Sequence, residues 1–404
     1  METLTFLMTS SFYPPYHLGG DAVHVAYLAA ELAKRGNEVH VLHSLDAYRA
    51  KSGIQRQAES GTIFTHRIET PFSLTAYETY VLGSSFSVTK RFRTLLKEIK
   101  PEIVHHHNIS LLGYNILIRQ GRYLNLYTAH DYWLICQQSN LFRNGKGSCE
   151  TASCTLCGLA CRRPPQLWRR SKAFWKAVRD IDVLIAPSDY LRATTTLRFP
   201  LHAVTIPNFA PNPPKQIKSS GFSDFLLYCA VLEEHKGILS LLTSFPKLAK
   251  HTGLKLVIVG EGSLYGRVRE FIRRLGLEDV VFTLGWVDPG PLYALMRDAS
   301  ALVIPSLSPE NAPLVSLQAF SVGTPVVASD RGGLPEIVSK VDRGLLFSWE
   351  QEGELIRAVG FLLRNQENLR KKAQLAYQQY FSAQAYLTSY AQLSPPRFAK
   401  QTSL

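Results

Sequence analysis

The sequence is short of charge. Only 19% of its 404 residues are Asp, Glu, Lys or Arg, against about 25% in an ordinary soluble chain. With 46% apolar residues it can bury large cores, which excludes global disorder. Its 26 Gly and 22 Pro follow no collagen-like period, and no heptad is sustained. Clean apolar runs are missing too. The uncharged stretch Asn311 to Ser329 is broken by Pro313, Gly323 and Pro325, contains Gln318, and reads as helix, turn and strand rather than a bilayer span. The first residues carry no basic segment and run from Thr3–Thr9 into Tyr13-Pro14-Pro15, so no secretory signal is expected. The six cysteines are accordingly expected as reduced thiols in a cytosolic setting.

Acids are scarce relative to cations, 32 against 45, for a net charge of +13. Such an excess predicts an anionic partner: nucleic acid, an acidic membrane surface or a phosphate-bearing small molecule. No nucleic-acid recognition module is visible, so nucleic acid is not expected. The excess is uneven, with 24 cations against 15 acids up to residue 210 and 21 against 17 beyond it.

What is present is alternation. The length suggests two or three domains at about 150 residues each. Short apolar runs alternate with amphipathic stretches, the pattern of parallel sheets covered by helices. Thr3–Thr9, Glu38–His43, Glu102–His106, Asn125–Ala129 and Asp182–Ala186 read as buried strands, and Asp21–Arg35 as a helix ended by Gly36. The Pro- and Asn-rich stretch from Pro207 to Pro214 breaks the pattern, which restarts at Phe225. The expected organisation is a first domain over 1–211, a linker over 212–224 and a second domain over 225–381. A helical tail over 382–404 could return to the first domain. Within the first domain lie a Cys-rich loop, 136–161, and a basic segment, 162–179. The fold class is α/β: two doubly wound, Rossmann-like domains facing each other across a cleft, with ligands at the carboxyl ends of the strands.

Several strand ends carry residues suited to anions. Gly19-Gly20 opens the first helix, where backbone amides and the helix dipole favour a phosphate; a tight turn alone is the plainer reading. In the second half, Glu233-Glu234-His235-Lys236-Gly237 follows the first strand and Gly260-Glu261-Gly262 the next. Pro305 to Leu314 then leads into a helix carrying Gln318, eight residues after Glu310 and so near the same helix face.

In order, these motifs resemble the retaining nucleotide-sugar glycosyltransferases of family 4, with the GT-B fold (glycosyl transferases group 1). The resemblance runs from Pro14-Pro15 through Gly36-Asn37-Glu38-Val39, Pro101 to His107, Thr128-Ala129-His130-Asp131-Tyr132 and Ile206-Pro207-Asn208 to the block Glu310–Val338. It implies retaining transfer of a sugar from a nucleotide diphosphate to a lipid-linked or polysaccharide-precursor acceptor, with no cofactor required. Lys236 is implied at the diphosphate, Glu310 at the sugar hydroxyls, Asn311, Ala312, Pro313 and Leu314 around sugar and phosphate, and Gln318 at the ribose. Gly260 and Glu261 complete the donor side, Gly19 and Gly20 approach from the first domain, and His130 lies near the reacting sugar. His107 and Asp131 fall on the acceptor side. Two positions depart from the pattern. Ala230-Val231-Leu232 replaces Gly-Arg-Leu, removing an arginine from the diphosphate, and Gln318 replaces a glutamate. A lost charge-assisted bond costs roughly 1.5–3 kcal/mol. The alternative reading is therefore an impaired donor-binding protein of the same fold, acting as partner or scaffold for another transferase.

Cys149, Cys154, Cys157 and Cys161 have spacings that suit a structural zinc, with an iron–sulfur cluster or uncommitted thiols as alternatives. Three consecutive histidines, His105 to His107, converge poorly on a metal, and strand alternation sends His106 away from the other two. From Arg162 to Arg179 seven cations and no acid are interspersed with Leu167, Trp168, Phe174 and Trp175; Lys90 to Lys100 is a second basic helix. Tryptophan with cation is the composition of an interfacial helix, so an anionic membrane surface is expected as a partner and a cytoplasmic, inner-face peripheral location follows. The plainer reading is a surface helix with two core tryptophans. Oligomeric state leaves no mark in the sequence.

Overall fold

The computed structural model describes residues 3–17, 19–52, 63–70, 74–143, 147–149 and 154–393. The expected stretch 394–404 of the C-terminal tail lies outside the described residues, as does part of the Cys-rich loop. Two compact units are present. One comprises Met1–Ser139, Ser153–Pro207 and Tyr386–Leu404; the other comprises Asn140–Ala152 and Asn208–Ala385, counting described residues in each.

The first unit is built on seven strands: β1 (Thr5–Thr9), β2 (Glu38–Ser44), β3 (Phe64–Ile68), β4 (Ile103–His106), β5 (Leu124–Thr128), β8 (Val183–Ala186) and β9 (Ala203–Thr205), with β6 (Phe142–Arg143) and β7 (Gly147–Ser148) forming an antiparallel hairpin in the other unit. Their order is β3-β2-β1-β4-β5-β8-β9, all parallel. The second sheet holds β10 (Phe225–Cys229), β11 (Lys255–Val259), β12 (Val281–Gly285), β13 (Ala301–Ile304), β14 (Val326–Ser329) and β15 (Leu346–Phe347), in the order β12-β11-β10-β13-β14-β15 and again all parallel. Each sheet reverses its winding once, between β1 and β4 and between β10 and β13. Loops leaving adjacent strands there diverge to opposite faces, which opens a crevice at the strands' carboxyl ends.

The central strands are apolar on both faces, as parallel strands covered by helices must be: Phe6, Leu7 and Met8 in β1 and Phe225, Leu226 and Leu227 in β10 have no accessible surface. The first helix, Gly20–Lys34, buries Ala22, Val25, Leu28, Ala29 and Leu32. That stripe is narrower than composition suggests. Val23, Tyr27 and Ala30 fall off the 3.6-residue period and stay partly exposed. Gly36, at φ 83°, ends the turn. In the second unit the helix Ile238–Thr252 buries Ile238, Leu241, Leu242, Phe245 and Leu248 by the same period.

Residues 140–152, read from sequence as part of the first domain, group with the second unit. Phe142 is buried in this hairpin, its ring 6.3 Å from that of His235. At the other end of the chain, the helix Ala383–Ala391 places Tyr386 and Tyr390 against the first unit's own residues. Tyr390 Oη lies 2.9 Å from His105 Nδ1, and the Tyr386 ring lies 5.4 Å from that of His24.

Candidate functional site

In the second unit, the loops after β10 and β13 carry the residues with most chemistry. Lys236 ends a 3₁₀ turn, Glu234–Lys236, and donates from Nζ to Glu310 Oε1 at 2.7 Å. Ser306 Oγ donates to the same oxygen at 2.6 Å. Burial pushes the Glu310 carboxyl up, but Lys236, Ser306 and His235 together outweigh it and hold the group below its ordinary range. His235 is lowered by burial and by its charged neighbour Lys236. The result is a carboxylate that stays ionised beside an ammonium at the winding reversal of the sheet.

The loop that holds Glu310 is tied from several directions. Trp349 Nε1 donates to the Pro305 carbonyl at 3.1 Å, Ser329 Oγ to that of Ser306 at 2.8 Å, and Leu307 N to that of His235 at 2.8 Å. Two glycines let backbones approach closely. Gly237, at φ 72°, leaves no room for a Cβ, which would stand 1.9 Å from the Pro305 oxygen. Gly332, at φ 63°, bridges Glu310 as in a parallel ladder, and its Cβ would stand 2.2 Å from the Glu310 oxygen. Gly333 N donates to that oxygen at 2.6 Å, and Asn208 Nδ2 holds the Ala312 carbonyl at 3.1 Å. Asn311, Ala312 and Pro313 thus lead into the helix Leu314–Ser321, whose first amides have no partner within the helix. Gln318 lies one turn into it, partly exposed. After β11, Gly260 N donates to Gly285 O at 2.8 Å, and Glu261 is exposed while its carbonyl accepts from Leu232 N at 2.9 Å. Val231 is 45% exposed, so its position accepts a longer side chain.

In the first unit, the first helix, β4 and the residues just after β4 and β5 bring together histidines that are far apart in sequence. His107 Nδ1 and His130 Nε2 are 2.9 Å apart. The His24 ring lies 5.0 Å from that of His130, and the His105 ring 4.0 Å from that of His107. His105 Nε2 meets Thr128 Oγ1 at 2.8 Å. His106 turns to the other face, with Nδ1 2.8 Å from Thr9 Oγ1 and its ring against Phe92. Burial lowers all of these imidazoles, His130 to about 4 and His106 to about 3, so they are neutral at pH 7. Asp131 follows His130 and accepts from Trp133 N at 2.8 Å. Burial pushes its carboxyl up to about 7, and Asp21 adds to the effect. Gly19 and Gly20 start the first helix beside Asp21, whose Oδ2 accepts from Asn108 Nδ2 at 2.5 Å.

Sequence reasoning missed His24, Asn108, Ser306 and the two tyrosines of the C-terminal helix. His24 sits in an apolar helical stripe and so looks like core. A three-residue spacing from Asp21 was the only hint. Nothing local marks Ser306 or Tyr390, whose roles depend on a loop fold and a chain return.

Two expectations find no support. The first is zinc. Cys154 and Cys157 share the helix Cys154–Ala160, Cys161 follows it, and Cys149 belongs to the second unit's segment. Among the described residues no three His, Cys, Asp or Glu side chains come together in an arrangement that could hold a metal ion, and none of the six cysteines is in a disulfide. The described residues give no support to a tetrahedral zinc at these four thiols, and no chemistry is assigned through one.

The second is the tryptophan-rich basic segment. Trp168 is buried, its Nε1 donating to the Tyr80 carbonyl at 3.1 Å and its ring 5.1 Å from Phe174. Trp175 packs on Phe199 with ring centres 4.6 Å apart. Arg169, one of the seven cations, is itself buried, its guanidinium 4.6 Å from the Trp168 ring centre and 5.2 Å from that of Trp133. Of the interspersed apolar residues only Leu167 remains exposed, because the 3₁₀ turn Leu167–Arg170 and the helix Lys172–Arg179 direct Trp168 and Phe174 into the unit's own core and leave Trp175 partly buried against Phe199. No helix among the described residues is long and apolar enough to cross a membrane.

Comparison with known proteins finds matches to two family models. Residues 18–211 match the model of Glycosyltransferase Family 4 and residues 212–379 that of Glycosyl transferases group 1. An uncharacterized glycosyltransferase of Methanocaldococcus jannaschii, MJ1607, is 25% identical over 348 residues, covering 82% of each chain. The lipopolysaccharide 1,2-N-acetylglucosaminetransferase of Salmonella typhimurium is 29% identical over 188 residues, 41% of this chain and 49% of that one. Among solved structures, sucrose-phosphate synthase of Thermosynechococcus elongatus superposes with a TM-score of 0.73 at 19% identity, over 99% of this chain and 100% of that one. Anabaena Alr3699/HepE in complex with UDP does so with a TM-score of 0.63 at 16% identity, over 96% and 99%. With two matched models spanning both units, and two doubly wound parallel sheets beneath them, the chain belongs to the group 1 glycosyltransferases of GT-B fold.

Proposed function

We propose that this glycosyltransferase moves a sugar, with retained anomeric configuration, from a nucleotide diphosphate to a glycan or lipid-linked acceptor. The observation that carries the donor assignment is the Lys236–Glu310 pair at the winding reversal of the second sheet. Lys236 meets the diphosphate and Glu310 the sugar hydroxyls, while the amides of Asn311 to Leu314 receive sugar and phosphate. Gln318 holds the ribose, and Gly260 and Glu261 border the nucleotide. Gly19 and Gly20 approach the donor from the first unit, His130 serves the reacting sugar, and His107 and Asp131 stand on the acceptor side. A solved structure of this fold holding UDP supports a uridine nucleotide as the first to try.

In the reaction the bond from the anomeric carbon to the diphosphate oxygen breaks while the acceptor oxygen bonds to that carbon on the same face. The acceptor proton passes to the departing diphosphate. Negative charge grows on the leaving group, so a cation and oriented amides stabilise the transition state more than the ground state.

An anionic lipid surface remains part of the proposal, at the second of the two basic segments, Lys90 to Lys100, and the helix before it. The exposed side chains of Leu74, Tyr77, Val81 and Leu82 lie on or beside the helix Thr75–Leu82, and Phe86 is 76% exposed. Phe86 opens the helix Phe86–Ile99, whose exposed Lys90, Arg93 and Lys97 follow at one-turn spacing. Exposed apolar groups flanked by cations suit a lipid interface.

The test is a screen of nucleotide sugars for thermal stabilisation, followed by transfer and hydrolysis assays and NMR of the product's anomeric configuration. A ligand at 100 times its Kd adds about 2.7 kcal/mol. Nucleotide binding with neither transfer nor sugar release overturns the assignment, and an inverted product overturns retention.

A further inference from the structure

The contact between His107 and His130 has a chemical consequence. Two neutral imidazoles whose nitrogens are 2.9 Å apart share one proton between them: one nitrogen is an N–H and the other a lone pair. Which is which follows from the other ends of the rings. His107 has no accessible surface, and its Nε2 has no hydrogen-bond partner. A proton on that nitrogen would be an orphaned buried donor, a rarer and costlier arrangement than an unfilled lone pair. The proton of His107 therefore sits on Nδ1 and points at His130. His130 is then left with its own proton on Nδ1. The carboxylate of Asp21, held by Asn108, acts attractively on protons of the His130 ring. His105, whose two nitrogens meet Tyr390 Oη and Thr128 Oγ1, packs its ring 4.0 Å from that of His107 and holds it in place.

We propose that His107 is a positioning residue: it donates its Nδ1 proton to His130 Nε2 and fixes His130 in the Nδ1–H form, so that His130 serves the transfer as a hydrogen-bond donor and not as a base. The only basic lone pair of a neutral His130 is already filled by His107. The proton of the incoming acceptor must go elsewhere, in keeping with its passage to the departing diphosphate. This rests on the assignment of His130 to the reacting sugar made above.

The experiment is long-range proton–nitrogen NMR of the full chain labelled at its histidines, with H107F, H107N and H130A beside the parent. In the parent, both His130 and His107 should read as Nδ1–H rings. H107F should release His130 toward the Nε2–H form and lower kcat at least about tenfold, equal to about 1.4 kcal/mol, with the donor KM little changed. H107N, whose amide presents an N–H near the former Nδ1, should restore both the His130 spectrum and most of kcat. A parent His130 protonated on Nε2 overturns the proposal, as does a folded H107F with unchanged spectrum and kcat. If H107F does not fold, the parent and H107N spectra decide. Full activity in H130A overturns instead the assignment of His130 to the sugar, and the parent spectrum reports the tautomer independently of that result.

Discussion

Lys236 and Glu310 are 74 residues apart in sequence and 2.7 Å apart in space, and each explains the other's state. The ammonium keeps a buried carboxylate ionised, and the carboxylate holds the lysine at the carboxyl end of β10.

Removing one partner should therefore cost more than removing both. K236M leaves Glu310 as an uncompensated buried charge and is expected to lower stability by about 2–3 kcal/mol, somewhat less than for a fully buried pair. K236M/E310Q should recover most of that. Because the Glu310 carboxyl is held below its unfolded value, its contribution is present above the ordinary carboxylate range and is lost as pH falls through and below it. Denaturant unfolding of the parent and E310Q should converge at low pH; a difference that persists there contradicts the pairing.

The absent arginine can be restored. Val231 is largely solvent-facing, so V231R should change stability by no more than about 0.5 kcal/mol. If the parent holds the donor's diphosphate through Lys236 alone, V231R should tighten nucleotide-diphosphate binding by about tenfold in calorimetry. A large gain in turnover for V231R/Q318E would support the reading of an impaired transferase. Unchanged turnover would indicate a site already adapted to its own donor.

Glycines at the site and away from it should respond in opposite ways. G332A places a Cβ against the Glu310 backbone at positive φ and is expected to destabilise by more than about 2 kcal/mol and to impair transfer. Gly266 is exposed in the first turn of the helix Tyr265–Arg274 with open space around it, so G266A should stabilise by about 0.5–1 kcal/mol. Thermal melts of the two variants test the contrast directly.

His106 should register in the pH dependence of stability. Buried and neutral, it titrates at about 3 when folded and near 6.5 when unfolded. The unfolded chain binds the proton first, so stability falls as pH drops from 6.5 toward 3, by about 1.4 kcal/mol per pH unit for each such histidine. H106N should shallow this slope by one proton between pH 4.5 and 6. An unaltered slope contradicts a neutral buried His106.

Much of the fold was readable from local pattern. Strands β1, β2, β4, β5 and β8 and the repeat from β10 to β14 announce themselves as brief apolar runs between amphipathic helices, because both faces of a parallel strand must be apolar. β3, with Phe64, Thr65 and Arg67 exposed, β9, only partly buried, and the two-residue β15 lack that signature. They were not anticipated. Neither was the pairing of β6 with β7, whose grouping with the second unit has no local signal.

The site was legible in kind and incomplete in detail. Lys236, Glu310 and His130 stand at strand ends, where sequence order alone predicts ligand-facing residues. The +13 charge had suggested a tryptophan-bearing basic helix as a membrane face. Tertiary packing took Trp168 inward, laid Trp175 partly buried on Phe199 and closed aromatic rings around Arg169. What the amino-acid sequence determined by itself was the period of each element and the order of the motifs, since these depend on neighbours a few residues away. Only the tertiary structure decided which nitrogen of His130 is occupied, which carboxylate holds Lys236 and which aromatics are exposed. Those depend on contacts such as His107–His130, Lys236–Glu310 and Trp168–Tyr80, which are 23, 74 and 88 positions apart, and the local pattern does not encode them.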